Sequence, residues 1–403
     1  MFLRLAVILG LILLAAWWRR RTSQPIEPPR INATDGVMVL LGAGFSQTLG
    51  IACTAKIGHE IDDALARGRC AAVYIPLRDR LIARFQTAYN FEVLMAALEA
   101  CIVYGRPGFL PGSPEYRSVI PEIATMRPDI TAHAAAQMYE IAMEIIAREV
   151  GMDWRSTATS KDRYRLRTFF DALRSRWRLS VATLNYDDGA EEFIPDAVDG
   201  FVGKGDLQAF DSRAFLADDS RPRIAHVHGS LAFGITELSK QFVKNVGPPR
   251  TRREMMWTER LDGIIWSAVV TGAEKPNKLV LQPYSIYYAW LTNEMLRTPR
   301  TVIVGYGMGD LHINAWLVNV ALHHDGPDYR LVIIDKFTRD TLPEHLTDIF
   351  AMAAGYANRV DAGSALSALR FEDDVATHGS AMIIRSGLPL TDRQLNRMLL
   401  FLA

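Results

Sequence analysis

Val37-Met38-Val39-Leu40-Leu41 runs without a break into Gly42-Ala43-Gly44-Phe45-Ser46, and the fold is read outward from this stretch. Five apolar residues in a row, with no polar alternation, suit a strand covered on both faces, as strands of parallel sheets are. The two glycines then allow a tight turn and a close backbone approach to a phosphate. A helix starting there would add its N–H groups and the positive end of its dipole. Ser46 can supply a hydroxyl. The loop lacks the third glycine of the G-x-G-x-x-G fingerprint, so by itself it is compatible with any nucleotide-binding fold.

Downstream, IACTAKIGHEIDDALARG (51–68) reads as a helix ending near Gly68. From about 80 to 178 the pattern is mostly helical, clearest in FEVLMAALEACIVYG and ITAHAAAQMYEIAMEIIAREVG, with Leu166, Phe169, Phe170, Leu173 and Trp177 forming a further stripe. The basic residues around that stripe, Arg163 to Arg178, are expected to be a solvated face over core. Apolar runs return at Leu179–Leu184, Ile224–Val227, Leu279–Leu281, Thr301–Val304 and Leu331–Ile334, with helical stretches between several of them. Such an alternation predicts an α/β fold: a parallel sheet with helices on both faces and a large helical insertion at about 80–178. Residues 36–345 are expected to form this domain. Residues 346–403, with a helix, a strand at Ala381–Ile384 and a terminal helix, are expected to form a C-terminal α/β extension.

Upstream, TSQPIEPPRINATD (22–35) reads as a linker. Before it, the apolar run Leu5–Trp18 is followed by Arg19, Arg20 and Arg21. The run is short against the roughly 20 residues of a full span, though Arg4 can snorkel and extend it. Trp17, Trp18 and the arginines look like an interfacial belt on the cytoplasmic side. Residues 1–21 are therefore expected to be a transmembrane anchor. Over all 403 residues, 49% apolar and 22% charged is a globular balance that excludes disorder. Lys plus Arg and Asp plus Glu are 45 each, so no net charge draws the chain to nucleic acid. Cys53, Cys70 and Cys101 form neither a disulfide framework nor a zinc cage, which fits a reducing compartment.

Ligands of open parallel sheets bind beyond the carboxyl ends of the strands, so the residues that follow each strand matter most. After the second strand, Thr183, Asn185 and Asp187 alternate in T-L-N-Y-D, a spacing that can converge on a ribose or simply make an Asx turn. After the third comes His226-Val227-His228-Gly229-Ser230. Two histidines two apart would share a strand face, but zinc wants three or four protein ligands and no further cluster lies near in sequence, so no metal is expected. His228, beside a residue with no side chain, is the candidate catalytic imidazole. After the fifth, Gly305-Tyr306-Gly307-Met308-Gly309-Asp310 again suggests backbone pressed on a ligand, with Asp310 either capping the next helix or holding a ribose hydroxyl. His378-Gly379-Ser380 repeats one triplet beyond the last core strand and reads as a surface turn.

Taken in order over about residues 36–335, GAGFS, TLNYD, HVHGSL and GYGMGDLHIN resemble the sirtuin-like superfamily, most of all the sirtuin-like NADase family of bacterial antiphage defence proteins. That resemblance implies a Rossmann-like core and NAD as substrate, cleaved at the nicotinamide–ribose bond to nicotinamide and ADP-ribose. On matched residues it implies that Gly42, Ala43, Gly44, Phe45 and Ser46 line the diphosphate. Asn185 would hold the ribose and a water, with Thr183 beside it and Asp187 placing it. His228 would be the base, next to Gly229 and Ser230. Gly305, Tyr306 and Gly307 would lie under the adenosine half, with Asp310 on a hydroxyl. The chain departs from the family at Gly307, where serine is common, at Ala52, where proline is common, and in lacking the P-D-F-R nicotinamide segment of deacetylating sirtuins. No cysteine follows Cys101, so their zinc module cannot form and no zinc is expected; FVKNVGPPRTRREMMWTERLDGIIWSAVVTG stands in its place. A non-catalytic nucleotide sensor and a protein ADP-ribosyltransferase or deacetylase are the alternatives. Together with the apolar run near the start, the expected setting is the bacterial inner membrane, single-pass, with the catalytic domain cytoplasmic; because an unregulated NADase would kill its host, control by homo-oligomerisation or an activating phage or host protein is also expected.

Overall fold

A strand that is apolar along its whole length needs cover on both faces, and β1 (Gly36–Leu41) has it, every residue being buried. Its side chains alternate between two cores. Val37, Val39 and Leu41 pack into one, and Met38 and Leu40 into the other. The computed structural model describes residues 35–403 except 87–88, 105–127, 152–156, 218–219, 237–240, 247–263, 267–268, 271–280, 325–327, 339–341, 344–345, 348 and 351–368. The expected anchor (1–21) and nearly all of the expected linker lie outside these residues. Among the described residues no helix is long and apolar enough to cross a membrane.

β1 sits in the middle of a seven-stranded sheet. On one side lie β2 (Arg178–Thr183) and β5 (Arg223–His226); on the other lie β9 (Arg300–Val304), β10 (Arg330–Ile334), β12 (Ala381–Ile384) and β11 (Val375–His378). All pairings are parallel except the edge hairpin β11–β12. Numbered along the chain, the six parallel strands stand in the order 3-2-1-4-5-6, the arrangement of doubly wound dinucleotide-binding folds, and the order reverses between β1 and β9.

Among the described residues, five of the six helices between β1 and β2 supply most of one cover: α2 (Thr54–Arg67), α3 (Ala71–Phe85), α4 (Phe91–Tyr104), α5 (Pro128–Val150) and α6 (Ser160–Arg174), after the short α1 (Ala43–Thr48). The helical block thus begins earlier than about 80. The stripe Leu166, Phe169, Phe170 and Leu173 is buried as expected, and Thr159 caps α6 by accepting the Asp162 N–H at 3.1 Å. α8 (Tyr284–Arg297) and α9 (Leu311–His323) cover the other face.

Two features add to the sequence reading. Within the expected C-terminal extension, β12 continues the main sheet beside β10 and α10 (Asp392–Leu402) packs into the first core. A second, antiparallel sheet also exists, in the order β3-β4-β7-β6-β8, from β3 (Phe201–Val202), β4 (Leu207–Phe210), β6 (Phe233–Thr236), β7 (Phe242–Asn245) and β8 (Ile264–Trp266). Its strands are two to four residues long, too short to show a period. The short α7 (Ser212–Ala217) lies beside it. Of the strand expected at Leu279–Leu281, residues 279–280 lie outside the described part, and Leu281 is in a bend before α8, half exposed. His378-Gly379-Ser380 makes the β11–β12 turn, with Gly379 at φ +54°.

Candidate functional site

The carboxyl ends of β1, β2, β5 and β9 open on one cavity of about 290 Å³, reached by Gly42, Asn185, His228 and Asp310 among others. It lies where the strand order reverses, the place at which an open α/β sheet binds its ligand.

The GAGFS turn is shaped first by its neighbour. Gly42 N–H donates to Val304 O and Gly44 N–H to Gly305 O, both at 2.9 Å. A Cβ on Gly44 would stand 2.6 Å from Gly305 Cα, and one on Gly305 would stand 2.4 Å from Gly44 Cα. Gly305 also has φ +57°. These two glycines are thus required because two strand-end loops cross backbone to backbone. Phe45 is fully buried against Phe170 and Phe193. Gly42, Ala43 and Ser46 line the cavity.

Asn185 is held from two sides. Its N–H donates to Thr183 Oγ1 at 3.1 Å and its Nδ2 to Gly42 O at 2.9 Å. With Nδ2 engaged, Oδ1 is the end that can accept a hydrogen bond from a bound molecule. Thr183, buried under the turn, therefore acts through Asn185 and does not line the cavity. Asp187 does not place Asn185, as was expected, but accepts the Ser46 hydroxyl at 2.6 Å and the Gly189 N–H at 2.9 Å. Burial raises its carboxyl above the usual carboxylate range, against the pull of those two donors. The pair Asn185 and Asp187 thus fasten the same turn at its two ends, Gly42 and Ser46.

The two histidines part company, because β5 ends at His226 and the period of two does not continue. The His226 ring lies 3.3 Å from Glu191 Oε1, in a buried group with Lys244 and Asp199 that ties β7 to the main sheet. His228 is 2% exposed and lines the cavity, its Nε2 3.9 Å from Asp310 Oδ1. Gly229 (φ +81°) and Ser230 build the turn that follows. Ser230 donates to Tyr186 O at 3.3 Å and accepts the Ala232 N–H at 3.1 Å, and neither residue lines the cavity.

Beyond β9, the Tyr306 hydroxyl accepts the Asp310 N–H at 3.1 Å and donates to Asn314 Oδ1 at 2.9 Å, while Asn314 Nδ2 donates to Met308 O at 2.7 Å. Asp310 occupies the N-cap position of α9, yet its side chain makes no capping bond. Both Gly307 and Gly309 line the cavity, and a Cβ on either would meet nothing within 4 Å. Their lack of a side chain leaves room that the fold itself does not use.

Sequence reasoning missed the far wall. The starts of α2 and α4 bring Thr54, Asn90, Phe91 and Glu92 to the cavity. Asn90 Oδ1 accepts the N–H groups of Glu92 and Val93 at 2.9 and 3.1 Å, a local cap visible in sequence only as an Asn before an apolar run. With Asp187 and Asp310, Glu92 makes the lining acidic; among the described lining residues there is no Lys or Arg.

Neither a family model nor a curated protein matches the sequence. Among solved structures, the chain is similar to a variant Sir2 homologue in complex with ADP-ribose, at 15% identity over 83% of this chain and 90% of that one, with a TM-score of 0.37. It is also similar to a Sir2 homologue in complex with NAD, at 15% identity over 83% and 88% of the two chains, with a TM-score of 0.33. A third is a variant Sir2 homologue with 2'-O-acetyl ADP-ribose, at 13% identity over 85% and 97%, with a TM-score of 0.33.

Proposed function

We propose that the protein is an NAD+ glycohydrolase. The observation that carries this is the meeting of Asn185 and His228 in one cavity at the β1/β9 reversal, where doubly wound sheets hold dinucleotides. Three strands far apart in sequence supply these groups and the Gly42 turn beside them.

The chemistry asked of the site is modest. The C1'–N bond breaks with its electron pair going to the pyridinium nitrogen, which leaves as neutral nicotinamide. Water oxygen bonds to C1', and the water proton passes to a base. Asn185 Oδ1 accepts a hydrogen bond from that water or from a ribose hydroxyl and so orients it. His228 takes the proton. The carboxylates of Glu92 and Asp310 favour positive charge, as on the pyridinium and on an oxocarbenium-like ribose. Gly307 and Gly309 leave space for the rest of the dinucleotide.

Incubating the full-length protein with NAD and measuring nicotinamide and ADP-ribose tests the proposal. Both products free are expected. His228→Ala and Asn185→Ala should each lower NAD loss by about 100-fold or more while each variant still melts cooperatively, Asn185→Ala at a lower temperature because Gly42 O loses its donor. Normal turnover in both variants would remove the site assignment. ADP-ribose bound to protein would point instead to a transferase, and NAD binding without products to a sensor. The proposal extends to membrane attachment, from the apolar run Leu5–Trp18 and the arginines after it, and to antiphage defence, as the sequence resemblance implies. Cell fractionation and phage plaque counts with His228→Ala test these two parts.

A further inference from the structure

His312 follows Asp310 at the start of α9, and both come to the end of β5. One ring nitrogen each of His228 and His312 and one carboxylate oxygen of Asp310 lie within 4.8 Å of one another. The three arrive from two separate strand ends, so the pairing is made by the fold and not by sequence adjacency.

Two imidazoles and one carboxylate are a zinc-type donor set that leaves a coordination position open. With metal–ligand bonds of about 2.0–2.1 Å, tetrahedral donors stand about 3.3 Å apart. His228 Nε2 and Asp310 Oδ1 stand 3.9 Å apart, and all three donor atoms lie within 4.8 Å of one another, so closing on an ion shortens these separations. The supports are in place as well. The Tyr288 hydroxyl sits 2.8 Å from His312 Nε2, the kind of outer contact that fixes a ligating ring. Tyr306 ties down the Asp310 backbone by accepting its N–H at 3.1 Å. Glu92 lines the same cavity, with no Lys or Arg among the described lining residues.

We propose that His228, Asp310 and His312 bind one divalent transition-metal ion of the zinc class. Metal binding does not depend on the hydrolase reading. Its consequence does: an imidazole engaged with the ion cannot accept a proton, so the metal-bound protein is the inactive form of the enzyme proposed above.

Cobalt(II) added to the untagged full-length protein, followed by visible absorption, reads the site directly. One ion per chain is expected, displaced by zinc, with the signal lost in His312→Ala and kept in the control His323→Ala at the exposed end of α9. X-ray absorption of the zinc-loaded wild type should show two imidazole ligands, a readout that needs no variant to fold. No cobalt signal in the wild type, an undiminished signal in His312→Ala, or fewer than two imidazoles on zinc would each overturn the site. If NAD is hydrolysed, one equivalent of zinc should slow the wild type more than tenfold and spare His312→Ala; equal inhibition of both would overturn the switch. Metal binding in a protein that hydrolyses no NAD would leave the site standing and end the hydrolase reading.

Discussion

Two carboxylates near the site respond to acid in opposite senses, and the cause in each case is what surrounds them. Burial raises the Asp187 carboxyl despite the Ser46 and Gly189 donors. The folded protein then keeps a proton that the unfolded chain has lost, so the contribution of this group is fully present below about pH 3.9 and is lost as the pH rises through the folded value. Asp187→Asn removes that charge, and its melting temperature relative to wild type is expected to rise as the pH climbs above about 4; a constant difference would contradict the burial argument. Glu191 is the reverse case. Burial alone would raise it, but the Lys244 ammonium and then the His226 ring outweigh burial and bring it down to about 2. Its stabilisation is present above about pH 4.3 and lost as the pH falls toward 2. Lys244→Met leaves a buried carboxylate without its main partner, which costs about 3 kcal/mol and should move the acid-unfolding midpoint to higher pH. Of these residues, Asn185 and His228 were legible in sequence because each follows a strand end. The Ser46–Asp187 and Lys244–Glu191 pairs were not, since nothing in either residue's local sequence names its partner.

At the scale of elements, the glycines separate packing from ligand space. Gly44 and Gly305 touch backbone to backbone, and Gly305 also sits at positive φ, so Ala at either forces the two strand-end loops apart. The overpacking penalty of about 1–3 kcal/mol, with about 1–2 more for the left-handed conformation at Gly305, should appear as a melting temperature lowered by several degrees. Gly307→Ala is the contrast: its Cβ would meet nothing within 4 Å, so stability should hold while NAD turnover falls. Equal thermal loss in all three variants would show that the Gly307 backbone also needs glycine. The strands β1 and β10 were readable because burial on both faces calls for apolar runs, and β2 and β9 because Ser180 and Thr301 interrupt theirs only briefly. β3 and β4 were not, because two and four residues in a half-exposed sheet carry no such signature.

For the whole molecule, the 3-2-1-4-5-6 order explains why four separated motifs share one cavity, and that much follows from strands alternating with helices. The Asn90–Glu92 wall could not be inferred, because the position of α4 over the strand ends is set by packing of the whole helical block. The same reasoning applies to the C-terminal segment, whose membership of the main sheet depends on a pairing far along the chain. β12 covers the edge of β10, and α10 buries Leu395, Met398, Leu399 and Leu402 against the first core. Four such side chains, at about 1.5–3 kcal/mol apiece, rival the net stability of about 5–15 kcal/mol usual for a folded domain. An exposed β10 edge, apolar from Leu331 to Ile334, would also invite intermolecular pairing. Deleting residues 372–403 touches no residue of the cavity, yet it should yield an insoluble chain with no cooperative melt. A soluble truncation that still consumes NAD would mean that β1, β2, β5, β9 and β10 suffice as a folding unit, and that the final segment is the separate extension its sequence suggested.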